Sequence, residues 1–256
     1  MGMEPRTEFW KDWWDESAKR STSDYALNRG TSVRLTELER QSELQLIATV
    51  RPEPSDVVLD AGCGSGRNLS IFAGKVRAIV GIDFSAHMLE RAKTRVADEH
   101  LSNVTLRQAS VTALPFAADS FEKVLCLSVL QYLDTDACRA AFREMFRVSK
   151  NGARIVIHLK NGSSLYGLSK WCSYRLFTLL GRRSLPEHYR RRGVHEQFIR
   201  ECGGRIVDVD AFGIFTFIGL PSRFVAPLIR LETKLPGRNW LKRFGVNYKV
   251  TIAVTK

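Results

Sequence analysis

The segment Val57-Val58-Leu59-Asp60-Ala61-Gly62-Cys63-Gly64-Ser65-Gly66 decides the fold of this chain, because an apolar run ends in an acid and then breaks into a glycine loop. A continuous Val/Leu run is typical of a parallel strand buried on both faces, and glycines beyond its carboxyl end let the backbone approach a ligand closely. A second buried strand, Ala78 to Asp83, ends in another acid about twenty positions later, where a ribose-binding carboxylate belongs. Together the two segments predict a nucleoside pocket.

The spacing of the glycines indicates which kind of nucleoside fits. A dinucleotide fingerprint is Gly-x-Gly-x-x-Gly, whereas this loop has the pattern Asp-x-Gly-x-Gly-x-Gly. The carboxylate of Asp60 would repel a diphosphate and suits a cationic ligand. The loop therefore favours a cationic nucleoside over the nicotinamide dinucleotide of an oxidoreductase, which stays as a rival interpretation.

Five segments in chain order resemble the class I S-adenosylmethionine-dependent methyltransferases. They are Val57 to Gly66, Gly81 to Leu89, Ala113 to Phe116 with Ser120 to Glu122, Leu125 to Leu130, and Arg147 to Arg154. In style the chain is most similar to the methyltransferase type 11 group, which includes quinone-biosynthesis C-methyltransferases and many natural-product and glycolipid methyltransferases. The resemblance implies S-adenosylmethionine as cofactor, S-adenosylhomocysteine as its product, and no metal.

The chain departs from that family pattern at a few positions. Ala109-Ser110 stands where the group commonly has Gly-Asp, and Gln131 stands where relatives often carry His after the fourth strand. A hydroxyl can still accept a hydrogen bond from an exocyclic amine, so Ser110 is expected to replace the usual carboxylate at the adenine edge. Glu122, Ser149 and Asn151 replace the more usual Asp, Leu and Pro.

The resemblance implies a set of cofactor-binding residues. Asp60 is expected near the methionine ammonium, Asp83 at both ribose hydroxyls, and Leu127 is expected to present a backbone carbonyl. The other positions implied are Gly62, Gly64 and Gly66 along the methionine portion, Phe84 and Met88 on the adenine, and Ser110 and Val111 at its edge. Tyr25 and Arg29 are expected either to cap the cofactor carboxylate or to brace the N-terminal segment.

A general base is needed only if the acceptor arrives protonated, because methyl transfer from a sulfonium is an in-line displacement that depends mainly on alignment and desolvation. His158, at the end of the predicted fifth strand, and Tyr166 are the candidate catalytic residues. His188 and Tyr189 lie in the same region, and any of these side chains is more often structural. For His195 we expect a plainer role near the start of a helix.

Strands and helices alternate from Asp56 to Leu159, which predicts an α/β, Rossmann-like doubly wound sheet. The resemblance implies seven strands in the order 3-2-1-4-5-7-6 with the last strand antiparallel. The predicted organisation is an N-terminal helical lid or brace (1–50, with helix from Glu8 to Val50), a cofactor-binding core (51–159) and a remainder (160–256). Insertions 160–192 and 212–247 are expected to form the substrate side. The final strands are predicted at Arg154 to Leu159, Arg205 to Ala211 and Tyr248 to Thr255.

The charge of the chain is concentrated in one half. The formal net charge is +12 from 39 Lys+Arg and 27 Asp+Glu, and residues 151–256 alone carry 19 cationic against 6 acidic side chains. A solvated basic face is one explanation; an anionic partner is the other. Aromatic residues among the cations favour a small-molecule acceptor that is apolar, lipid-linked or anionic, with docking on an anionic membrane through Ser164 to Leu185 and Phe212 to Arg230. No nucleic-acid recognition motif is evident, so RNA methylation is the less favoured alternative, beside a non-catalytic cofactor-binding module.

The remaining features bear on location and on the N-terminal segment. Five scattered cysteines predict a reduced, cytoplasmic protein, and no stretch has the pattern of a signal peptide or the length of a membrane span. Trp10, Trp13 and Trp14 lie at helical spacing, where they form either an aromatic lid or anchor, or the packing face of the first helix. We favour packing.

Overall fold

The computed structural model describes residues 5–20, 44–164, 168, 172, 188–212 and 247–256. These residues include one seven-stranded sheet with the order β3-β2-β1-β4-β5-β7-β6. Its strands are β1 Val57–Ala61, β2 Ala78–Asp83, β3 Val104–Gln108, β4 Phe121–Cys126, β5 Ser149–Lys160, β6 Gly204–Phe212 and β7 Asn247–Val254. Strands β1 to β5 are parallel, and β7 runs antiparallel between β5 and β6. The predicted fold class and strand order are confirmed.

Helices flank this sheet and precede it. They are α1 Pro5–Arg20, a helical segment at 44–50 (α2), α3 Arg67–Ala73, α4 Ala86–Asp98, α5 Thr135–Val148 and α6 Arg192–Glu201, with a 3₁₀ turn at Leu130–Tyr132. The predicted N-terminal helix agrees with α1 and α2, and residues 21–43 between them lie outside the described part. Helix α2 ends before Arg51, whose φ is 52°, and Pro52 follows, as its sequence predicts.

The bounds of β5 differ most from the sequence-based prediction, and those of β6 and β7 differ by one residue at each end. Strand β5 begins at Ser149, earlier than the expected Arg154, and continues to Lys160. His158 therefore lies inside the strand and does not end it. The start moves because residues 149–153 continue the extended backbone after α5, and Ser149 pairs with Phe121 of β4 across an irregular register.

Each face of the sheet has its own apolar core. Phe142 and Met145 of α5 and Phe198 of α6 pack with Ile155 and Ile157 on one face. On the other face, buried apolar side chains of α2 and α3 pack against those of the strands. The helices supply Leu46, Val50, Leu69 and Phe72, and the strands supply Val58, Leu125 and Val156. Burial on both faces explains why the central strands are rich in Val, Ile and Leu. The carboxyl ends of β1, β2 and β4 are thereby held at one edge of the sheet, where α/β folds of this kind bind ligands.

The first helix packs against the body of the protein through its tryptophans. Trp10 is buried, its ring centroid lies 4.5 Å from that of Tyr132, and the Trp14 ring lies 5.6 Å from the same ring. At the other end of α1, the carbonyl of Ala18 accepts a hydrogen bond of 3.1 Å from Arg91 Nη1 on α4. The packing role predicted for the tryptophan cluster is confirmed.

Gly204 at the start of β6 provides a test of the packing between α5, α6 and the sheet. A Cβ at this position would lie 2.4 Å from Phe146 Cζ and 2.9 Å from Ile199 Cγ2. We expect Gly204→Ala to lower the free energy of unfolding by about 1–3 kcal/mol, because the buried ring of Phe146 must shift. Urea denaturation measures this loss.

Gly74→Ala is the matched control, because a Cβ there would meet no atom within 4 Å. Its stability should stay within about 0.5 kcal/mol of the parent. Phe146→Leu in the Gly204→Ala background should recover part of the loss. Equal stability of the two glycine variants would contradict the packing described.

Candidate functional site

The loop after β1 is held against β2 by its backbone. The N–H groups of Gly62 and Cys63 both donate to the carbonyl of Ile82, at 2.8 Å each. Gly62 has a φ of 90°, and a Cβ at this residue would lie 2.2 Å from Val129 Cγ2. Gly64 has a φ of 54°, and a Cβ there would meet no atom within 4 Å. The loop therefore packs tightly beside β4 at Gly62 and leaves space for a ligand beside Gly64.

Asp60 is a buried acid at the base of this loop. Its side chain is fully buried, and Oδ1 accepts a long hydrogen bond of 3.4 Å from Asn68 Nδ2. Oδ2 has no hydrogen-bond partner among the described residues. Burial raises the pKa of Asp60 to about 7, Asn68 opposes the rise, and the nearby charge of Asp83 adds to it. A buried carboxylate oxygen without a donor is a binding position for a cationic or N–H-bearing ligand group.

Asp83 connects the glycine loop to the turn after β2. Its Oδ2 accepts from the N–H of Gly64 and its Oδ1 from the N–H of Ser85, both at 2.9 Å. Burial raises the pKa of Asp83 to about 6, although these backbone hydrogen bonds act to lower it. Each carboxylate oxygen keeps a second lone pair, so Asp83 can accept from two ligand hydroxyls while it holds the loop.

The residues predicted to surround the adenine follow β2 and β3. Phe84 comes directly after Asp83, Met88 lies on α4, and Ser110 and Val111 follow β3. Met88 is buried in a small cluster with Ala18 and Trp14, while Phe84 is half-buried. The hydroxyl of Ser110 lies 2.8 Å from Thr112 Oγ1 and accepts from the Thr112 N–H at 3.2 Å, so it is engaged within its own turn. Val111 is buried in the core beside it.

The edge near β4 and β5 holds a contact between two polar side chains. Leu127 and Ser128 follow β4, and Ser128 Oγ lies 3.0 Å from His158 Nδ1 on β5. Ser128 has a φ of 61°, a backbone conformation uncommon for this residue type. Its side-chain partner was not predicted, because no sequence pattern around position 128 signals a left-handed turn or a histidine beside it.

Two further histidines among the candidate residues make contacts within the protein. The buried imidazole of His195 packs near Phe142 and Phe198, and burial together with the charge of Arg190 lowers its pKa to about 4, which fits the structural role expected. The backbone N–H of His188 donates to the backbone carbonyl of Gln131 at 2.7 Å. Tyr25, Arg29 and Tyr166 lie outside the described residues.

Helix α1 contributes a carboxylate that the sequence analysis missed. Asp15 Oδ1 accepts a short hydrogen bond from Ser85 Oγ and lies 3.2 Å from His87 Nδ1. Burial raises the pKa of Asp15, but hydrogen bonds from Ser85 and His87 outweigh burial and leave it lowered. Since Trp10 and Trp14 contact Tyr132 beyond β4, α1 reaches both sides of the glycine loop.

The described part of the chain also bears on metal binding and on membrane spanning. No cluster of three or more His, Cys, Asp or Glu side chains suitable for a metal ion occurs there. In the same ranges, no helix combines the length and apolar character needed to span a membrane. The described cysteines, Cys63, Cys126, Cys138, Cys172 and Cys202, are free thiols.

Comparison with known proteins gives matches in sequence and in fold. Residues 58–152 match a family model described as a methyltransferase domain. The chain is 33% identical over 105 residues to the uncharacterized methyltransferase YodH of Bacillus subtilis (strain 168), covering 41% of this chain and 43% of the relative. It is 36% identical over 102 residues to the demethylmenaquinone methyltransferase of Lactococcus lactis subsp. lactis (strain IL1403), covering 39% and 40%. The matches thus span less than half of each relative.

Among solved structures, the geranyl diphosphate C-methyltransferase of Streptomyces coelicolor A3(2) superposes with a TM-score of 0.65 over 100% of this chain and 99% of that one, at 18% identity. At this identity the likeness concerns the fold. The family match covers the segment that contains the glycine loop, Asp60 and Asp83, and the fold match covers the whole sheet. Residues 58–152 therefore form a methyltransferase domain, and the described sheet has the fold of the solved methyltransferases.

Proposed function

We propose that this protein transfers a methyl group from S-adenosylmethionine to an O, N or C atom of a small-molecule acceptor. The observation that carries the proposal is Asp60, a buried carboxylate whose Oδ2 lacks a donor beside an open glycine loop. The α-ammonium in the methionine portion of the cofactor supplies N–H donors to Asp60 Oδ2 and a positive charge that balances the carboxylate. A dinucleotide would instead place a diphosphate against this carboxylate.

The residues around the loop fit the rest of the cofactor. We assign Asp83 to the ribose hydroxyls because its oxygens keep free lone pairs, and the open space beside Gly64 supports a ligand there. We assign Phe84, Met88, Ser110 and Val111 to the adenine side, and Leu127 with Gly62 and Gly66 to the methionine side. When bound, S-adenosylmethionine supplies a methyl group made electrophilic by a sulfonium. The protein's part is then to align the acceptor with that methyl group and exclude water.

For the acceptor we propose an apolar, lipid-linked or anionic small molecule of the secondary-metabolite, quinone or glycolipid type. The names of the relatives support an apolar acceptor, since one acts on demethylmenaquinone and one structure contains geranyl diphosphate. The cationic surplus in residues 151–256 supports a negative charge on the acceptor or on the surface that presents it. RNA methylation and a non-catalytic binding module are the alternatives.

The Asp83 carboxylate provides the first test of the cofactor site. Asp83→Ala should weaken binding of S-adenosylhomocysteine by about tenfold or more, because each charge-assisted bond to a ribose hydroxyl contributes about 1.5–3 kcal/mol. Isothermal titration calorimetry measures the affinity. Asp98→Ala, at the exposed end of α4, is the control and should bind like the parent. Tight binding of NAD(H) with no affinity for S-adenosylhomocysteine would refute the proposal.

The raised pKa of Asp60 predicts a pH dependence of cofactor binding. In the free protein Asp60 is protonated below about pH 7, and only its carboxylate form attracts the ligand ammonium. Affinity for S-adenosylhomocysteine should therefore rise as the pH increases through about 7. At lower pH, binding should release the proton of Asp60 to the buffer. Calorimetry between pH 5.5 and 8 in two buffers of different ionisation enthalpy measures both effects.

Two controls separate Asp60 from the other acids. Asp60→Asn should remove the part of the slope centred near pH 7 and leave the part due to Asp83, whose pKa is about 6. Adenosine has no ammonium, so its affinity should lack the Asp60 contribution in the parent protein. An affinity for S-adenosylhomocysteine that is constant across this range would contradict the assignment of Asp60.

We propose in addition that the basic half of the chain contacts anionic membrane. The segments first expected to dock, Ser164 to Leu185 and Phe212 to Arg230, lie almost entirely outside the described residues, so the support is the charge of residues 151–256. Each basic side chain near an anionic bilayer contributes about 1 kcal/mol, and salt screens it. Sedimentation should show binding to anionic but not neutral liposomes, reduced at high salt. Equal binding to both, or to neither, would remove the membrane proposal, and salt-sensitive binding with methylation of RNA would favour the alternative.

A further inference from the structure

We propose that His158 is the general base of the acceptor site, that Ser128 positions it, and that the acceptor therefore carries a weakly acidic hydroxyl, a phenol or an enol. This inference rests on the proposed methyl transfer and deepens it, since it selects one class among the apolar acceptors. It concerns a pair of residues from neighbouring strands, Ser128 after β4 and His158 within β5.

The pair lies one strand away from the proposed cofactor loop. Strands β4 and β5 are parallel neighbours with Cys126 in register with Ile157, so the residues that follow β4 lie beside His158, which is still within β5. Strand β4 also borders β1, with Asp60 in register with Leu125. Val129, directly after Ser128, contacts Gly62 so closely that no Cβ fits between them. Ser128 and His158 are thus joined to the wall of the cofactor loop.

The backbone at Ser128 indicates that its side chain has a function. Its φ of 61° is a left-handed conformation that costs a residue with a Cβ about 1 kcal/mol. Such strain persists where the surrounding structure imposes it, and it is concentrated at functional sites. Here it places Oγ 3.0 Å from His158 Nδ1, with Ser128 exposed and His158 half-buried. A glycine would relieve the strain but would lack the hydroxyl.

The contact at Nδ1 orients the ring and selects its tautomer. When Nδ1–H donates to Ser128 Oγ, Nε2 carries the lone pair and can act as a base. The acceptor hydroxyl then gives its proton to Nε2 as the acceptor oxygen, or the carbon conjugated with it, bonds to the methyl carbon. The carbon–sulfur bond breaks with its electron pair on sulfur. The resulting imidazolium later releases the proton to solvent, so the base is regenerated.

The chemistry of an imidazole limits the acceptor class. An unperturbed histidine has a pKa of about 6.5 and a phenol one of about 10, close enough for proton transfer in the transition state. A carboxylate acceptor arrives ionised and needs no base, and an aliphatic hydroxyl is a much weaker acid than a phenol, so imidazole assists a phenol more effectively. A phenol or enol is therefore the acceptor that this pair serves, with methylation on oxygen or on the conjugated carbon.

Other titratable groups at this edge have different surroundings. Asp60 and Asp83 belong to the cofactor loop, and Gln131 after β4 does not titrate. Across β7 and β6, Lys249 pairs in register with His158, and Asp210 pairs with Lys249. Burial lowers the pKa of Lys249, although Asp210 and Asp208 raise it. His188 is the competing base among the described residues, and it is tested beside His158.

The first experiment needs no acceptor. Ring nitrogen-15 spectra of the protein with S-adenosylhomocysteine, assigned by loss of signals in His158→Gln, report the tautomer of His158. We expect a neutral ring at pH 8 with Nδ1 protonated, and a shift toward the Nε2–H tautomer in Ser128→Gly. A ring in the Nε2–H form in the parent protein, or a spectrum unchanged by Ser128→Gly, would overturn the proposal.

The second experiment measures S-adenosylhomocysteine formation with three probes of matched size: a hydroxynaphthalene, a naphthylamine and a naphthoate. We expect turnover of the hydroxynaphthalene, reduced about 100-fold or more in His158→Gln and about tenfold in Ser128→Gly. The acidic limb of the pH–kcat profile should disappear in His158→Gln and persist in His188→Gln. Ser120→Ala, which removes a hydroxyl before β4 at the opposite edge, should behave like the parent.

Two results of the second experiment would overturn the assignment of His158 as the general base and leave the methyltransferase proposal intact. One is turnover of only the amine or the naphthoate with no effect of His158→Gln; the other is loss of the acidic limb in His188→Gln. Unchanged S-adenosylhomocysteine affinity in the His158 and Ser128 variants shows that the cofactor site is preserved. A parent protein that does not bind S-adenosylhomocysteine would instead refute the proposed function itself.

Discussion

The candidate site depends on the two hydrogen bonds that the Asp83 carboxylate accepts from the N–H groups of Gly64 and Ser85. One bond holds the glycine loop after β1 and the other holds the turn that begins α4. Because both bonds end on one side chain, a single residue links the glycine loop to the start of α4. The remaining lone pairs of the same carboxylate are the ones that we propose for the ribose hydroxyls, so one group would both build the site and bind the ligand.

The electrostatic character of the site follows from burying a second acid beside the first. Asp60 is held in the apolar sheet with one weak side-chain donor, and burial raises the pKa values of both carboxyls. A cation offsets this cost, whereas a phosphate would add to it. The two buried acids therefore favour a cationic group at the loop, whatever the rest of the ligand is.

Helix α1 adds long-range contacts around the same loop. Asp15 is bonded to Ser85, the residue that caps α4, while Trp10 packs on Tyr132 beyond β4. These contacts place α1 beside both the cofactor loop and the turn that precedes the proposed acceptor side. The helical periodicity indicated a helix in this segment, but its partners are set by how it packs on the folded core.

The sequence by itself determined the alternation of strands and helices, the glycine loop and the two acids, because these depend on short-range patterns: buried Val and Leu runs, glycines and an acid at the end of a strand. The strand order was implied by the resemblance to a known family. Tertiary structure decided which distant side chains meet. Ser128 contacts His158 across 30 positions and Asp15 contacts Ser85 across 70. It also moved His158 inside β5 and buried His195 between helices. Such contacts arise from strand register and helix packing, and local sequence patterns do not encode either.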